Sequence, residues 1–284
     1  MRGVRPIPFP IPEHTVPQSP RLIGLPYDAS SSYLRGAAEG PAAIRDALRS
    51  PSWNSWCEQF RDLSASPGLS DAGDLELPET AEARSRIESG IATVIAGGHE
   101  PLALGGDHSV TYPVLRAVAR SHRALTILHI DAHSDLYEDF EGDSFSHACP
   151  FARIMEERLA VRLVQVGIRT LNPHQRRQAE RHGVEIIDMR AWQAGARPSV
   201  DGAVYISIDL DGLDPAFAPG VSHREPGGLS VREVLGMVQA AEGQIVGADV
   251  VEYNPRQDLG GMTATVAAKL VRELAGRILA GHPA

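Results

Sequence analysis

The stretch Leu125-Thr126-Ile127-Leu128-His129-Ile130-Asp131-Ala132-His133-Ser134-Asp135 decides how this chain is read. Residues 125–130 are almost continuously apolar or β-branched, the pattern of a short strand buried on both faces of a parallel sheet. The run ends in Asp131, His133 and Asp135. In open parallel sheets ligands bind beyond the C-terminal ends of the strands, so the acidic and imidazole groups fall on the functional edge. If the backbone stays extended past Ile130, a period of two puts all three side chains on one side.

Two further segments repeat the device. Residues 204–208 form an apolar run that ends in Asp209-Leu210-Asp211, and residues 102–104 lead into Gly105-Gly106-Asp107-His108. The glycine pair lets the backbone come close to its neighbours. Other candidate strands lie at 22–25, 163–166, 184–187 and 245–251, with a weaker one near 69–74. Helical patterns fall between them at 41–49, 80–96, 110–120, 149–159, 173–182, 231–241 and 263–279. Pro41 suits a first helical turn. Strand–helix alternation of this kind predicts an α/β fold, a three-layer α/β/α arrangement with a mostly parallel sheet of about eight strands.

The chain has 284 residues, 43% of them hydrophobic, enough for one domain with a large core. That domain is expected over residues 21–284. Residues 1–20 carry Pro6, Pro8, Pro10, Pro12, Pro17 and Pro20 and read as an extended tail. The formal net charge is -9, without a basic run, which argues against nucleic acid or an anionic membrane as partner and suits a small cationic substrate. No apolar stretch reaches membrane-span length, and the N-terminus lacks the apolar core of a signal peptide. Cys57 and Cys149 have no Cys-x-x-Cys spacing, so neither a disulfide framework nor a zinc knuckle is expected. These features predict a cytoplasmic protein.

His108, Asp131, His133, Asp135, Asp209 and Asp211 are oxygen and nitrogen ligands without a cysteine among them. Any one of these aspartates alone reads as a helix cap. All six in this order read as a site for two hard divalent cations, with aspartates placed to bridge ions roughly 3.5–4 Å apart. Mixed carboxylate and imidazole ligation suits manganese better than zinc, and magnesium prefers fewer protein ligands and more water. Asp214, before Pro215, reads as a turn residue. Asp107 and His129 are expected to orient the liganding groups. His14, His99, His122, His174, His182 and His282 are expected on the surface.

With these residues in hand, the chain resembles the ureohydrolase family of arginases, agmatinases and related guanidino-hydrolases. The resemblance rests on Gly105-Gly106-Asp107-His108-Ser109, on Asp131-Ala132-His133-Ser134-Asp135, and on the run from Ser207 through Asp209-Leu210-Asp211-Gly212-Leu213-Asp214 to Pro215. It covers nearly all of residues 21–284 and implies an arginase-like fold and two Mn2+ per chain. His108, Asp131, Asp135 and Asp209 would hold one ion; Asp131, His133, Asp209 and Asp211 the other. It also implies that His147 shuttles protons, that Glu252 grips the substrate guanidinium, and that Asp135 passes a proton to the leaving amine. The products would be urea and a primary amine, and the family's habit implies a homo-oligomer, a trimer or hexamer.

The loop Pro219-Gly220-Val221-Ser222-His223-Arg224-Glu225-Pro226 departs from the Gly-Thr-Gly-Thr-Pro loop of bacterial agmatinases and looks like that of plant-type arginases. So do Phe140-Glu141-Gly142 and the segment from Ala248 to Pro255. The resemblance therefore implies L-arginine as substrate, giving L-ornithine, with agmatine to putrescine or another guanidino acid as alternatives. Arg224 is expected at the pocket mouth as donor to an α-carboxylate. A reading from another class is a non-catalytic metal-binding subunit, but no ligand, His147 or Glu252 is lost here.

Overall fold

The computed structural model describes residues 19–281. The strands are β1 (Ser19–Leu25), β2 (Ser70–Asp74), β3 (His99–Gly105), β4 (Leu125–Ile130), β5 (Arg162–Val166), β6 (Glu185–Ile187), β7 (Ala203–Asp209) and β8 (Gln244–Val251), all but the polar, exposed β2 built on apolar runs. They make one eight-stranded sheet in the order β2-β1-β3-β8-β7-β4-β5-β6. Every pairing is parallel.

Between the strands run α1 (Gly40–Leu48), α2 (Glu82–Ala96), α3 (Thr111–Val118), α4 (Pro150–Glu156), α5 (Pro173–His182), α6 (Met189–Gln193), α7 (Val231–Ala240) and α8 (Met262–Ala280). Helix α5 starts on a capping box between Asn172 and Gln175 and stops at Gly183, whose φ of 64° a side chain would resist. Helix α6 has no counterpart in the sequence reading. Five residues are too few to display a helical period, and only the Asp188 cap on the Ala191 amide announces it.

Strand β1 begins at Ser19, inside the segment expected as tail, and Ser19 and Pro20 lie in register with His99 and Glu100. A proline is tolerated there because it sits at the start of the strand. The rest of the expected tail, residues 1–18, lies outside the described residues. Among the described residues no helix is long and apolar enough to cross a membrane.

Alternation along the strands fills two cores. Leu102, Leu104, Leu128, Ile130, Ile206 and Ile208 point to the face covered by α1, α7 and α8. Ala103, Leu125, Ile127 and Tyr205 point to the face covered by α2, α3 and α4. Burial on both faces explains why these strands read as apolar runs. The chain leaves β3 for β4 across a gap later filled by β7 and β8. The ends of β3, β8, β7 and β4 therefore stand side by side at the centre of the sheet, and the motif residues follow them.

The expected surface histidines are less exposed than their spacing suggested. His99, His122, His174 and His182 are half-buried, His99 against the Ser19 hydroxyl at 2.8 Å and His174 stacked on Tyr137 at 5.5 Å. His14 and His282 lie outside the described residues.

Candidate active site

After β3 the chain turns at Gly106, where a Cβ would stand 1.9 Å from the Tyr27 carbonyl oxygen. Only glycine fits, and this approach delivers His108 to the sheet edge. The His108 Nδ1 atom lies 3.2 Å from Asp131 Oδ2, 3.1 Å from Asp135 Oδ2 and 3.1 Å from Asp209 Oδ2, fully buried. None of these contacts has hydrogen-bond geometry, so Nδ1 is an orphaned buried atom facing three carboxylates. On its other side Nε2 is 3.0 Å from the Ser207 hydroxyl. That hydroxyl donates its single proton to Asp249 Oδ1 at 2.6 Å, so it accepts from His108 Nε2. The Nδ1 lone pair is thereby left bare toward the aspartates, the tautomer of a metal ligand.

His133 Nδ1 lies 3.0 Å from Asp211 Oδ2 and 3.4 Å from Asp131 Oδ1. Asp131, His133 and Asp211 form one cluster whose ligand atoms could surround a cation, and His108, His129 and Asp131 form a second. His129 is excluded as a ligand by its own partners. Its Nε2 is 2.8 Å from Asp131 Oδ2, and its Nδ1 accepts from the Gln165 amide nitrogen at 3.0 Å. The same Gln165 nitrogen donates to the Ser134 carbonyl at 2.6 Å, which fixes the amide orientation. His129 thus orients Asp131, as expected. Asp107 acts through the backbone: its carboxylate caps the turn that starts at His108 by taking the Ser109 amide, and it holds the Ser30 amide of the loop before α1.

The extended backbone expected past Ile130 is not what gathers the three side chains. The chain bends at Ala132 and His133, and Asp135 takes a φ of 50°. Glu252, just past β8, has a φ of 61° and donates its amide to the Gly106 carbonyl. Left-handed backbone costs an L-residue roughly 1–2 kcal/mol, and such outliers gather at functional sites.

Electrostatics mark the site as short of positive charge. Burial and the neighbouring charges of Asp211 and Asp131 hold Asp209 well above the usual carboxylate range. Burial carries Asp211 up to about 7 despite His133. Asp131 goes the other way: burial is outweighed by His129, His108 and His133. Burial works against charge on His108, yet its aspartate neighbours raise its pKa well above the ordinary imidazole value: they draw a positive charge to Nδ1, a proton or, in its place, a metal ion. Oxygen-rich ligation, a bare buried nitrogen and an excess of carboxylate together fit divalent cations.

A cavity of about 200 Å³ opens on this cluster, lined by His133, Asp135, Asp209 and Asp211 and also by Ser32, Tyr137, Thr170, Gln175, His147, His223 and Glu252. Glu252 Oε1 accepts from the His108 amide at 2.9 Å and faces His147 Nδ1 at 2.8 Å. Burial opposes charge on His147, but Glu252, Asp107 and Asp135 outweigh it and take its pKa to about 9. The Ser32 amide pulls in the opposite direction, since it donates to Nε2 at 3.2 Å and needs a lone pair there.

Arg224 is not at the mouth. Its guanidinium donates to the Pro219 and Gln257 carbonyls, so it closes a loop, and His223 lines the cavity in its place. Asp214 is the turn residue its sequence suggested, accepting from the Ala216, Gly227 and Gly228 amides. Sequence reasoning missed Ser32, Gln165, Ser207, His223 and Asp249. A polar residue inside an apolar strand run was a usable signal for Gln165, Ser207 and Asp249; Ser32 and His223 had none.

A buried carboxylate–imidazole cluster across the central strand ends of a parallel α/β/α sheet defines a metal-dependent hydrolase of the arginase-like fold. The model of the Arginase family matches residues 18–276, and the chain belongs to that family. It is 47% identical to arginase 1, mitochondrial, of Arabidopsis thaliana, over 92% of this chain and 81% of that protein. It is 35% identical to the mitochondrial agmatinase of Gallus gallus, over 89% and 79%. The solved arginase of Medicago truncatula superposes with a TM-score of 0.89 at 44% identity, covering 93% of this chain and 88% of that one. Both curated relatives are named mitochondrial, which overturns the cytoplasmic expectation.

Proposed function

We propose that the domain built on the eight-stranded sheet, Ser19 and Pro20 of β1 included, is one catalytic domain that hydrolyses L-arginine to L-ornithine and urea. The observation that carries this reading is the His108 Nδ1 facing Asp131, Asp135 and Asp209, with Asp135, Asp209 and Glu252 lining one cavity. His108, Asp131, Asp135 and Asp209 would hold one Mn2+, and Asp131, His133, Asp209 and Asp211 a second. Such a pair supplies Lewis acidity that makes water a competent nucleophile near neutral pH.

The chain's own groups do the rest. A guanidinium is a poor electrophile, so it must be held with its carbon against the nucleophile. The buried Glu252 carboxylate, kept ionised by His147 despite its burial, binds that cation and orients it. Asp135, beside the nucleophile's position, passes a proton to the departing amine, and His147 exchanges protons with the surroundings. The low dielectric of the cavity strengthens each of these contacts.

The plant arginase relatives support arginine. One observation favours agmatine as a second reading: no lysine or arginine lines the cavity among the described residues. An α-carboxylate would rely on Thr170, Gln175 and His223 as donors. The deciding experiment measures urea release from arginine, agmatine, guanidinobutyrate and guanidinopropionate with added manganese, and counts metal per chain. Arginine should lead and two ions should be found. A hundredfold preference for agmatine would replace the substrate, and absence of urea from every compound would end the reading. A homo-oligomer, trimer or hexamer, is the expected assembly, testable by light scattering.

A further inference from the structure

A residue that shuttles protons needs one end at the reaction and the other in water, and His147 has only the first. The residue is 9% exposed, with Nδ1 on the Glu252 carboxylate at 2.8 Å. Its other nitrogen meets Ser32. The Ser32 hydroxyl oxygen is 2.8 Å from Nε2, beside the Ser32 amide at 3.2 Å. Ser32 lines the cavity and is itself exposed.

We propose that the Ser32 hydroxyl is the solvent end of the proton path that begins at His147. The inference rests on the reading of His147 given above. A hydroxyl suits the place because it both donates and accepts. With His147 neutral, the lone pair on Nε2 accepts from Ser32. When Nε2 carries a proton, the hydroxyl turns and accepts it, passing its own proton to water, so that one proton leaves and Ser32 ends neutral. Each turnover takes one proton from an incoming water and places one on the departing amine, so the path regenerates His147 without net change.

The position of Ser32 is set by its loop and does not depend on its own side chain. Asp107 takes the Ser30 amide at 3.0 Å, the Ser30 carbonyl takes the His147 amide at 3.1 Å, and Asp28 takes the Gly36 amide at 2.7 Å. Replacing Ser32 by alanine therefore removes the hydroxyl and keeps the backbone amide on Nε2. The other neighbour of the His147 ring is His223, at 5.3 Å between centroids and tilted by 45°, which is packing contact without a proton route.

The test compares wild type, Ser32→Ala, Ser32→Thr and His147→Asn as manganese-loaded full-length protein, in dilute buffer and with added morpholine- or pyridine-type bases. Ser32→Ala should lose about tenfold in kcat, short of the roughly 10²–10⁴-fold of a complete general acid–base contribution. KM and metal content should stay at wild-type values. The small bases should restore its rate, and Ser32→Thr should need no restoring. An unchanged kcat in dilute buffer overturns the proposal, as does a loss that the bases do not repair or that appears in KM. If His147→Asn turns over like wild type, the shuttle itself is wrong and Ser32 falls with it; failure of Ser32→Ala alone leaves His147 in its role.

Discussion

Ser207 and Asp249 face each other across β7 and β8 in direct register, with the serine hydroxyl 2.6 Å from the buried carboxylate. Tyr205 and Thr111 hydroxyls also donate to Asp249, at 2.8 Å each. The pair ends on His108, so two residues of the sheet interior decide which nitrogen of a candidate metal ligand carries a proton.

Ser207→Ala should therefore weaken metal binding with all six proposed ligands still present. Partners of this kind typically alter affinity by about 10–100-fold. A manganese titration of metal-stripped protein should show one of two equivalents weakened. Thr111→Val removes a different donor from Asp249 and should lower Tm without that change in affinity. Equal affinities for wild type and Ser207→Ala would refute the link to His108.

Asp131→Ala and Asp209→Ala should each abolish urea release and strip most bound metal, because each would be shared by both proposed ions. His108→Asn should weaken one ion, with partial rescue by excess manganese. One tightly held zinc per chain, unaffected by Asp211→Ala, would sink the two-ion reading.

Glu252→Gln should cost more activity than His147→Asn. It leaves a cationic substrate without its buried counter-charge, and breaking such a pair typically costs about 2–5 kcal/mol. His147→Asn removes a proton carrier while sparing the metals. Steady-state kinetics with metal analysis reads both, and wild-type urea production by both variants would reject the assigned roles.

Glu100 offers a test of stability against pH. Burial in β3 raises its pKa from 4.5 to about 8. The folded protein thus keeps a proton that the unfolded chain gives up, and stability from this residue is full below pH 4.5 and falls as pH rises toward 8. Glu100→Gln should flatten the decline of Tm across that window. Parallel curves for the variant and wild type would show that Glu100 does not titrate this way.

Gly106→Ala should destabilise the fold and disturb the site together. The added methyl meets backbone, which cannot swing aside, and overpacking typically costs about 1–3 kcal/mol. Denaturant melts should show the loss; a variant as stable as wild type would mean that the turn can shift freely.

Periodicity and local chemistry settled much of this protein before any folding. Apolar runs buried on both faces named the central strands, and Asp131, His133, Asp135, Asp209, Asp211 and His108 stood out because charged groups seldom follow such runs without a reason. Tertiary structure decided what depends on distant parts of the chain. The strand order set His108, from β3, against aspartates that follow β4 and β7, and it placed Asp249 behind Ser207. A bend at Ala132 and a left-handed Asp135 gathered side chains that an extended strand would have spread out. Arg224 shows the limit most clearly. Its charge and loop suggested a substrate contact, but only the folded chain revealed that nearby carbonyls, which no sequence pattern records, had already claimed its donors.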